Sequence, residues 1–450
     1  MPLLPRFRNM AGIMVLLTSL WLVLFVYHEH VVPMLFARRC LWHSVEPEAQ
    51  TNVLLVADPQ LIDNHTYPGR NGVLLGLSKH TVDVYLKQNY RALVTHLAPD
   101  YIVFLGDYLD NGRSASDAYF EAEFRRFERI FNRWPEYPRG DRWFTNVAGN
   151  HDIGFGDGVK LPSRERFVSH FGAANAVHSI NGVDLIVLDS VSYSSSNAAI
   201  SEEVRHFVRS LPPKQRPRVL LSHVPFYRDS AQLSCGPLRE SRELWQNVGY
   251  QYQSELTAEV SAELLGLIQP DLIYSGDDHD YCDVQHSDAT REVTVKSISM
   301  AMGIKRPAVQ LLSFSAGGDT LNYHTEICYL PRPYVNVVVY VALAVCSGLL
   351  LLFSSIKSRR YVYARGQAPM SKRMSKFFEG DDSPAASLAP LSNYTKTTLS
   401  AGEKLQQQFR VWKAEMLLTL RRWNLITFFK SCAVLGSVTI GIYLTVVSFV

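Results

Sequence analysis

Three runs of almost purely apolar residues limit what this chain can be before any other feature is weighed. They cover about 10–27, 334–355 and 425–450. A helix needs about 20 apolar residues to cross a bilayer, so each run is long enough, the first only just. Arg6 and Arg8 precede the first run, and no small-x-small cleavage site follows it in His28–Pro33. It therefore reads as an uncleaved anchor rather than a signal peptide. Lys357, Arg359 and Arg360 follow the second run, and Arg421 and Arg422 precede the third. Lys430, near the start of the third, can snorkel to the interface. Basic flanks stay cytosolic, and one topology satisfies all of them. Residues 1–9 are cytosolic, 28–333 lumenal and 356–424 cytosolic, and the helix 425–450 ends in the lumenal leaflet. The 356–424 stretch starts as a Ser-, Pro- and Ala-containing linker, including Asp381–Ser387, and continues as a basic amphipathic helix near 403–422.

What remains is an ordinary soluble domain, a division hidden by the overall hydrophobic content of 47%. A net charge of +3 makes no electrostatic case for a nucleic-acid partner. The six cysteines are too few for a disulfide scaffold, and the lack of a CxxC pair among them argues against a thiolate zinc site. Residues 52–57 (NVLLVA) and 101–105 (YIVFL) are short apolar runs of buried-strand type. Further strands are predicted near 143–148, 183–188, 218–222, 271–275, 293–298 and 308–314. Val82, Leu86, Leu93 and Leu97 mark one face of a helix over 80–97. Helices are also predicted over 117–134 and 254–268. Two-sided apolar strands interleaved with helices indicate an α/β layered domain, in which ligands bind beyond the carboxyl ends of strands.

The polar clusters fall at those ends. Asp58-Pro59-Gln60 follows the first strand, Gly106-Asp107-Tyr108-Leu109-Asp110 the second and Gly149-Asn150-His151-Asp152 the third. Later strands run into Ser222-His223-Val224-Pro225 and Gly276-Asp277-Asp278-His279-Asp280. A single Asp after a strand is usually a turn or capping residue. Five such clusters in order, each rich in metal-ligand types, are hard to produce by turn chemistry.

The series DxQ, GDxxD, GNHD, SHxP and GDxHD resembles the calcineurin-like metallophosphoesterase superfamily over about 51–325. That resemblance implies a four-layer sandwich, two sheets flanked by helices, with two divalent metals bridged by one aspartate. One metal would take Asp58, Gln60, Asp107 and His279, and the other Asp107, Asn150, His223 and Asp277. His151 would be the catalytic histidine, oriented by Asp152. The family pattern has His where Gln60 and Asp277 stand. Both changes exchange nitrogen for oxygen, which favours a hard ion, Mn²⁺ over Zn²⁺. They also leave open whether Asp277 or Asp278 is the ligand. The stretches Leu54–Gln60, Ser275–Cys282 and Thr294–Ser297 are similar to the fungal cell-division-control phosphoesterases of GPI-anchor remodelling. This implies removal of an ethanolamine-phosphate branch from a GPI mannose, the first being favoured, in the endoplasmic reticulum, with GPI glycolipid or GPI-anchored proteins as partners. Another lumenal lipid phosphodiesterase, or a GPI-binding pseudoenzyme, is the competing reading.

Arg228, Arg239 and Arg242 follow His223 and are candidates to meet a substrate phosphate, or are solvated charges. Tyr250–Gln253 would pack on sugar rings or in the core. Cys235 and Cys282 follow segments that must converge on one site, and an oxidising lumen permits a bridge between them. The state of Cys40 and Cys328 stays open. Asn64 and Asn393 both sit in glycosylation sequons, and the topology above exposes only Asn64 to the lumen.

Overall fold

A computed structural model of the chain describes residues 10–45, 50–249, 252–317, 320–355, 409 and 424–448. Residues 1–9, the Asp381–Ser387 run, all but residue 409 of the helix expected at 403–422, Asn393 and the pair Tyr250-Gln251 lie outside the described residues. Two compact units are present. Residues 25–336 carry the layered domain in one, and Met10–Leu24 with the described residues of Val337–Thr445 belong to the other.

Three helical runs, Met10–Ala37, Val335–Ser354 and Leu425–Ser448, are long and apolar enough to cross a membrane, and most of each apolar window is uncovered by protein. Such a surface suits lipid rather than water. The first run extends past residue 27. It comprises α1 (Met10–Val26), a π-turn (Tyr27–Val31) and α2 (Val32–Ala37). Pro33 lies at the start of α2 directly after the π-turn and supplies no N–H to the helical ladder.

The layered domain is built on two sheets. In chain order its strands and longer helices begin with β1 (Thr51–Val56), α3 (Gly72–Leu97), β2 (Tyr101–Phe104), α4 (Asp117–Phe131), β3 (Trp143–Phe144), α5 (Asn150–Ile153) and α6 (Leu161–Phe171). They continue with β4 (Ala176–Ile180), β5 (Val183–Val187), α7 (Ser190–Tyr193), α8 (Ala198–Ser210) and β6 (Arg218–Leu221). A short hairpin, β7 (Val248–Gly249) and β8 (Tyr252–Gln253), precedes α9 (Ala258–Ile268) and β9 (Leu272–Ser275). Then come β10 (Cys282–Ser287), β11 (Thr290–Thr294), β12 (Ala308–Gly317) and β13 (Thr320–Tyr329). The apolar helices α10 (Val335–Ser354) and α11 (Leu425–Ser448) complete the described chain.

One sheet has the order β13-β12-β1-β2-β3 and the other β10-β11-β9-β6-β5-β4. The pairs β1–β2, β5–β6 and β6–β9 are parallel, while β12 runs antiparallel to β1. Strand alternation sorts the side chains. Val53, Leu55 and Val103 share a buried cluster with Leu185, Leu221 and Tyr274 of the second sheet. Leu54, Val56 and Phe104 point the other way, into a cluster with Leu86, Leu93 and Phe127 of the helices. This is the expected helix–sheet–sheet–helix arrangement, and it sets the carboxyl ends of the parallel strands side by side. Two disulfides tie the margins, Cys40–Cys328 from the end of the first helical run to β13, and Cys235–Cys282 from the loop after β6 to the start of β10.

Candidate metal centre

Asp58, Asp107, His223 and Asp277 each lie just past the end of a strand, β1, β2, β6 and β9 in turn, and Asn150 opens α5 beyond β3. The turns that present them are strained. Asp58, Gln60, Asp107, Asp277 and His279 have φ of 47°, 31°, 51°, 63° and 65°. An L-residue in the left-handed region costs on the order of 1–3 kcal/mol. Among the described residues nine non-glycine positions adopt positive φ, and these are five of them. Such concentration at one site marks function rather than loop chance.

Two glycines make the close approach possible. A Cβ on Gly106, itself at φ +96°, would sit 2.4 Å from His223 Nδ1. A Cβ on Gly149 would sit 2.1 Å from Asp107 Oδ1. The motif glycines are therefore the floor on which the ligand side chains rest.

The polar contacts aim the donors inward. His223 Nδ1 donates to the Leu105 carbonyl at 2.7 Å, which leaves Nε2 as the nitrogen directed at the carboxylates. That Nε2 lies 3.3 Å from both Asp107 Oδ1 and Asn150 Oδ1, and 3.5 Å from Asp277 Oδ1. Asp277 N donates to Asp58 Oδ1 at 3.0 Å. Gln60 Nε2 donates to Asp110 Oδ1 at 2.9 Å, leaving its buried Oε1 without a partner among the described residues. Asp58 Oδ2 and Asp277 Oδ2 are likewise buried and unpartnered. Asp58, Asp107 and His223 each offer a ligand atom within 4.8 Å of the others.

The electrostatics ask for a cation. Burial pushes the carboxyls of Asp58 and Asp277 above the usual carboxylate range, against the pull of His223. Burial acts the same way on Asp107, but the imidazoles of His223 and His151 outweigh it and hold that group well below the range. Burial would lower His223, yet Asp107 and Asp277 raise it. His279 follows its burial and falls to about 4, so it is neutral near pH 7. A packed group of carboxylates with orphaned oxygens and a neutral imidazole is an expensive arrangement without positive charge. Residue types, aim and empty valences all fit a divalent metal.

The family model for calcineurin-like phosphoesterases matches residues 52–281. Cell division control protein 1 of Saccharomyces cerevisiae is 38% identical over 348 residues, which cover 72% of this chain and 70% of that protein. This chain is a calcineurin-like phosphoesterase. Metallophosphoesterase 1 of Danio rerio is 27% identical over 377 residues, 77% of this chain and 92% of the relative. A solved dimetal phosphatase from Danio rerio aligns at 13% identity with a TM-score of 0.35, covering 62% of this chain and 99% of that one.

Within this phosphoesterase the geometry revises three expectations. Asp152 does not orient His151. Its carboxylate accepts from the N–H groups of Tyr108, Leu109 and Gly149 at 3.0, 3.3 and 3.0 Å, pinning two motif loops together. Burial and the nearby Asp107 push Asp152 up to about 8. Asp110 is the neighbour of His151 instead, its carbonyl oxygen 2.6 Å from His151 Nδ1. Asp110 Oδ2 is held in turn by Thr66 Oγ1 at 2.8 Å and His65 Nδ1 at 3.1 Å. The second aspartate of GDxxD was visible in sequence, but His65 and Thr66 carried no signal beyond the sequon.

Arg228 is not a substrate contact. Its guanidinium is fully buried, 3.1 Å from Glu292 and 3.9 Å from Glu255. Arg239 is committed to Asp278 through two N–H donors, one of them 3.1 Å from Oδ1. That pairing turns Asp278 away and leaves Asp277 as the residue that faces His223. Asp280 is held by Lys296 Nζ at 2.7 Å, and its other oxygen accepts from Glu240 N and Ser241 N at 2.8 and 2.6 Å. Together with Cys235–Cys282, these contacts fasten the loop after β6 to the His279 segment.

Proposed function

We propose that this phosphoesterase hydrolyses an ethanolamine-phosphate diester branching from a mannose of the GPI glycolipid, free or attached to protein, with two Mn²⁺ ions, on the lumenal face of the endoplasmic reticulum membrane. The observation that carries the chemical part is the closure of Asp58, Asp107 and His223, from three different strand ends, into one buried group. Asp58, Gln60, Asp107 and His279 would hold one ion, and Asp107, Asn150, His223 and Asp277 the other. When bound, such a pair supplies positive charge against the phosphoryl oxygens and lowers the pKa of a water. Oxygen donors outnumber nitrogen donors in this set, which supports Mn²⁺ over Zn²⁺.

The chain's own residues do the rest. His151 N donates to Asp107 Oδ1 at 2.9 Å, so the histidine's backbone is fixed to the carboxylate that both ions would share. With Nδ1 turned to the Asp110 carbonyl, Nε2 is the nitrogen able to deliver a proton to the leaving alkoxide oxygen. Gln60 spans the two, its amide reaching Asp110 and, at 3.3 Å, the His151 ring. Three apolar helices support a membrane setting, where a glycolipid reaches the site by diffusion in two dimensions. The choice of GPI rests on the ADPQ and SGDDHDYC segments and their similarity to the fungal enzymes, and the first mannose is favoured on the same ground. Mass spectrometry of GPI glycans from cells lacking the protein tests it. Ethanolamine phosphate retained on one mannose supports the reading and names the position. An unchanged glycan profile with a different phosphodiester accumulating refutes it in favour of another lipid phosphodiesterase.

A further inference from the structure

Two cavities adjoin the points where the chain enters its apolar helices. The first, about 950 Å³, is walled by Val32, Pro33 and Phe36 from the first helical run and by Ile327 and Leu330 around the end of β13. Tyr27 and Val335 line it too, and both belong to helical runs long enough to span a membrane. The second, about 850 Å³, shares Leu238, Arg306, Tyr329, Arg332 and Val335 with the first and continues to Arg239 and Met300. Arg239 holds Asp278, the neighbour of Asp277 in the metal centre. The two spaces thus share walls, and the second reaches the arginine that pairs with Asp278.

Arginines outnumber carboxylates in the first cavity, three to two. Arg39, Arg306 and Arg332 line the first cavity, and among the described residues none of the three has a carboxylate at ion-pair distance. Arg39 rests over the Phe36 ring and Arg306 over Tyr329, with 4.7 and 5.8 Å to the centroids. The two lining carboxylates are taken. Asn336 Nδ2 donates to Glu29 at 3.2 Å, and His43 lies 3.0 Å from Glu326. An apolar wall with three uncommitted guanidiniums beside membrane-entry residues suits an anionic phospholipid, its chains on the wall and its phosphate among the arginines.

We infer that this first cavity seats the lipid end of the substrate, an inositol phospholipid, while the attached glycan runs through the second cavity to the metal centre. The inference rests on the GPI reading for the identity of the headgroup, but it is tested by lipid capture rather than by glycan cleavage. Full-length protein is placed in phosphatidylcholine nanodiscs containing a trace of photoactivatable phosphatidylinositol, and labelled peptides are mapped. Label is expected on peptides spanning 32–39 and 327–335, well above that from an equally reactive phosphatidylcholine. The double variant Arg39→Gln/Arg332→Gln is expected to lower that label about tenfold. Its hydrolysis of bis(p-nitrophenyl) phosphate, which needs only the metal centre, should remain at the wild-type level. Val32→Trp, which fills the apolar wall without touching charge, is expected to lower the label as well. Equal labelling by the two lipids, or label unchanged in both variants, overturns the inference. Selective label with an unchanged GPI glycan profile in cells lacking the protein would refute the proposed substrate and leave the lipid seat standing. A changed profile without selective label would do the reverse.

Discussion

Gly149→Ala is the smallest change that interrogates the metal centre, because it adds one methyl group and nothing else. Gly149 has φ −98° and ψ 167°, a conformation open to any residue, so the effect is steric and not one of backbone strain. The new Cβ would lie 2.1 Å from Asp107 Oδ1, 2.4 Å from Asp107 N and 2.9 Å from its Cγ. Ordinary contact begins near 3.4 Å. A carboxylate could rotate away, but the backbone nitrogen cannot, so the Asp107 turn or the Asn150 turn must move by about 1 Å. A displacement of that size at a reacting centre costs roughly 10²-fold in rate, or about 2.7 kcal/mol of transition-state stabilisation. Overpacking of this kind lowers stability by about 1–3 kcal/mol. The assay is kcat/KM on a soluble diester, with metal content and thermal unfolding measured on the same preparation. Gly76→Ala is the control. Gly76 lies in α3 with nothing within 4 Å of its Cβ position, and helix propensity gives Ala about 1 kcal/mol there without altering the rate. A Gly149→Ala enzyme indistinguishable from wild type in rate and stability would show that the strand-end turns are not packed as described.

Other consequences can be checked separately. His151→Ala should retain metal and lose about 10²–10⁴ in kcat; wild-type turnover in that variant would remove His151 from the mechanism. Non-reducing peptide mapping should recover the pairs Cys235–Cys282 and Cys40–Cys328, and a free thiol at Cys282 would contradict the fastening of the loop after β6. Asn64 is exposed and is the sequon expected to carry glycan, though Tyr119 Oη donates to its side-chain oxygen at 3.2 Å. A glycan on Asn393 instead would overturn the membrane topology.

The site was legible in sequence to the extent that ligands sit at the ends of two-sided apolar strands. NVLLVA and YIVFL are buried on both faces, so nothing but a central strand fits them, and the residue after each is fixed in place. The same logic fails at sheet margins. β13 alternates half-exposed and exposed positions over Thr320–Tyr329, with His, Asn, Thr and Glu among them, and shows no apolar run. β4 and β10 are edge strands with similarly mixed faces. The first turns of α3 were missed because residues 72–77 are largely exposed and show no amphipathic period. Conversely, the strand predicted over 143–148 pairs only at Trp143 and Phe144, since the chain leaves the sheet early to present Asn150. The partners of Arg228, Arg239 and Asp152 are not legible in the sequence for one reason. Each is a charged residue near a motif, and whether its charge faces substrate or a buried partner depends on tertiary contacts such as Glu292, which lies 64 positions from Arg228.

The proposed chemistry depends on a pair of ions sharing Asp107. Element-specific mass spectrometry of the full-length protein, purified without chelator from Mn²⁺-supplemented cells, tests it most directly when run beside Asp107→Ala and matched to diester hydrolysis. Two ions per chain are expected in the wild type, and loss of both the metal and the hydrolysis in Asp107→Ala. Active wild-type protein free of metal, or an Asp107→Ala variant that keeps both ions and full activity, would contradict it.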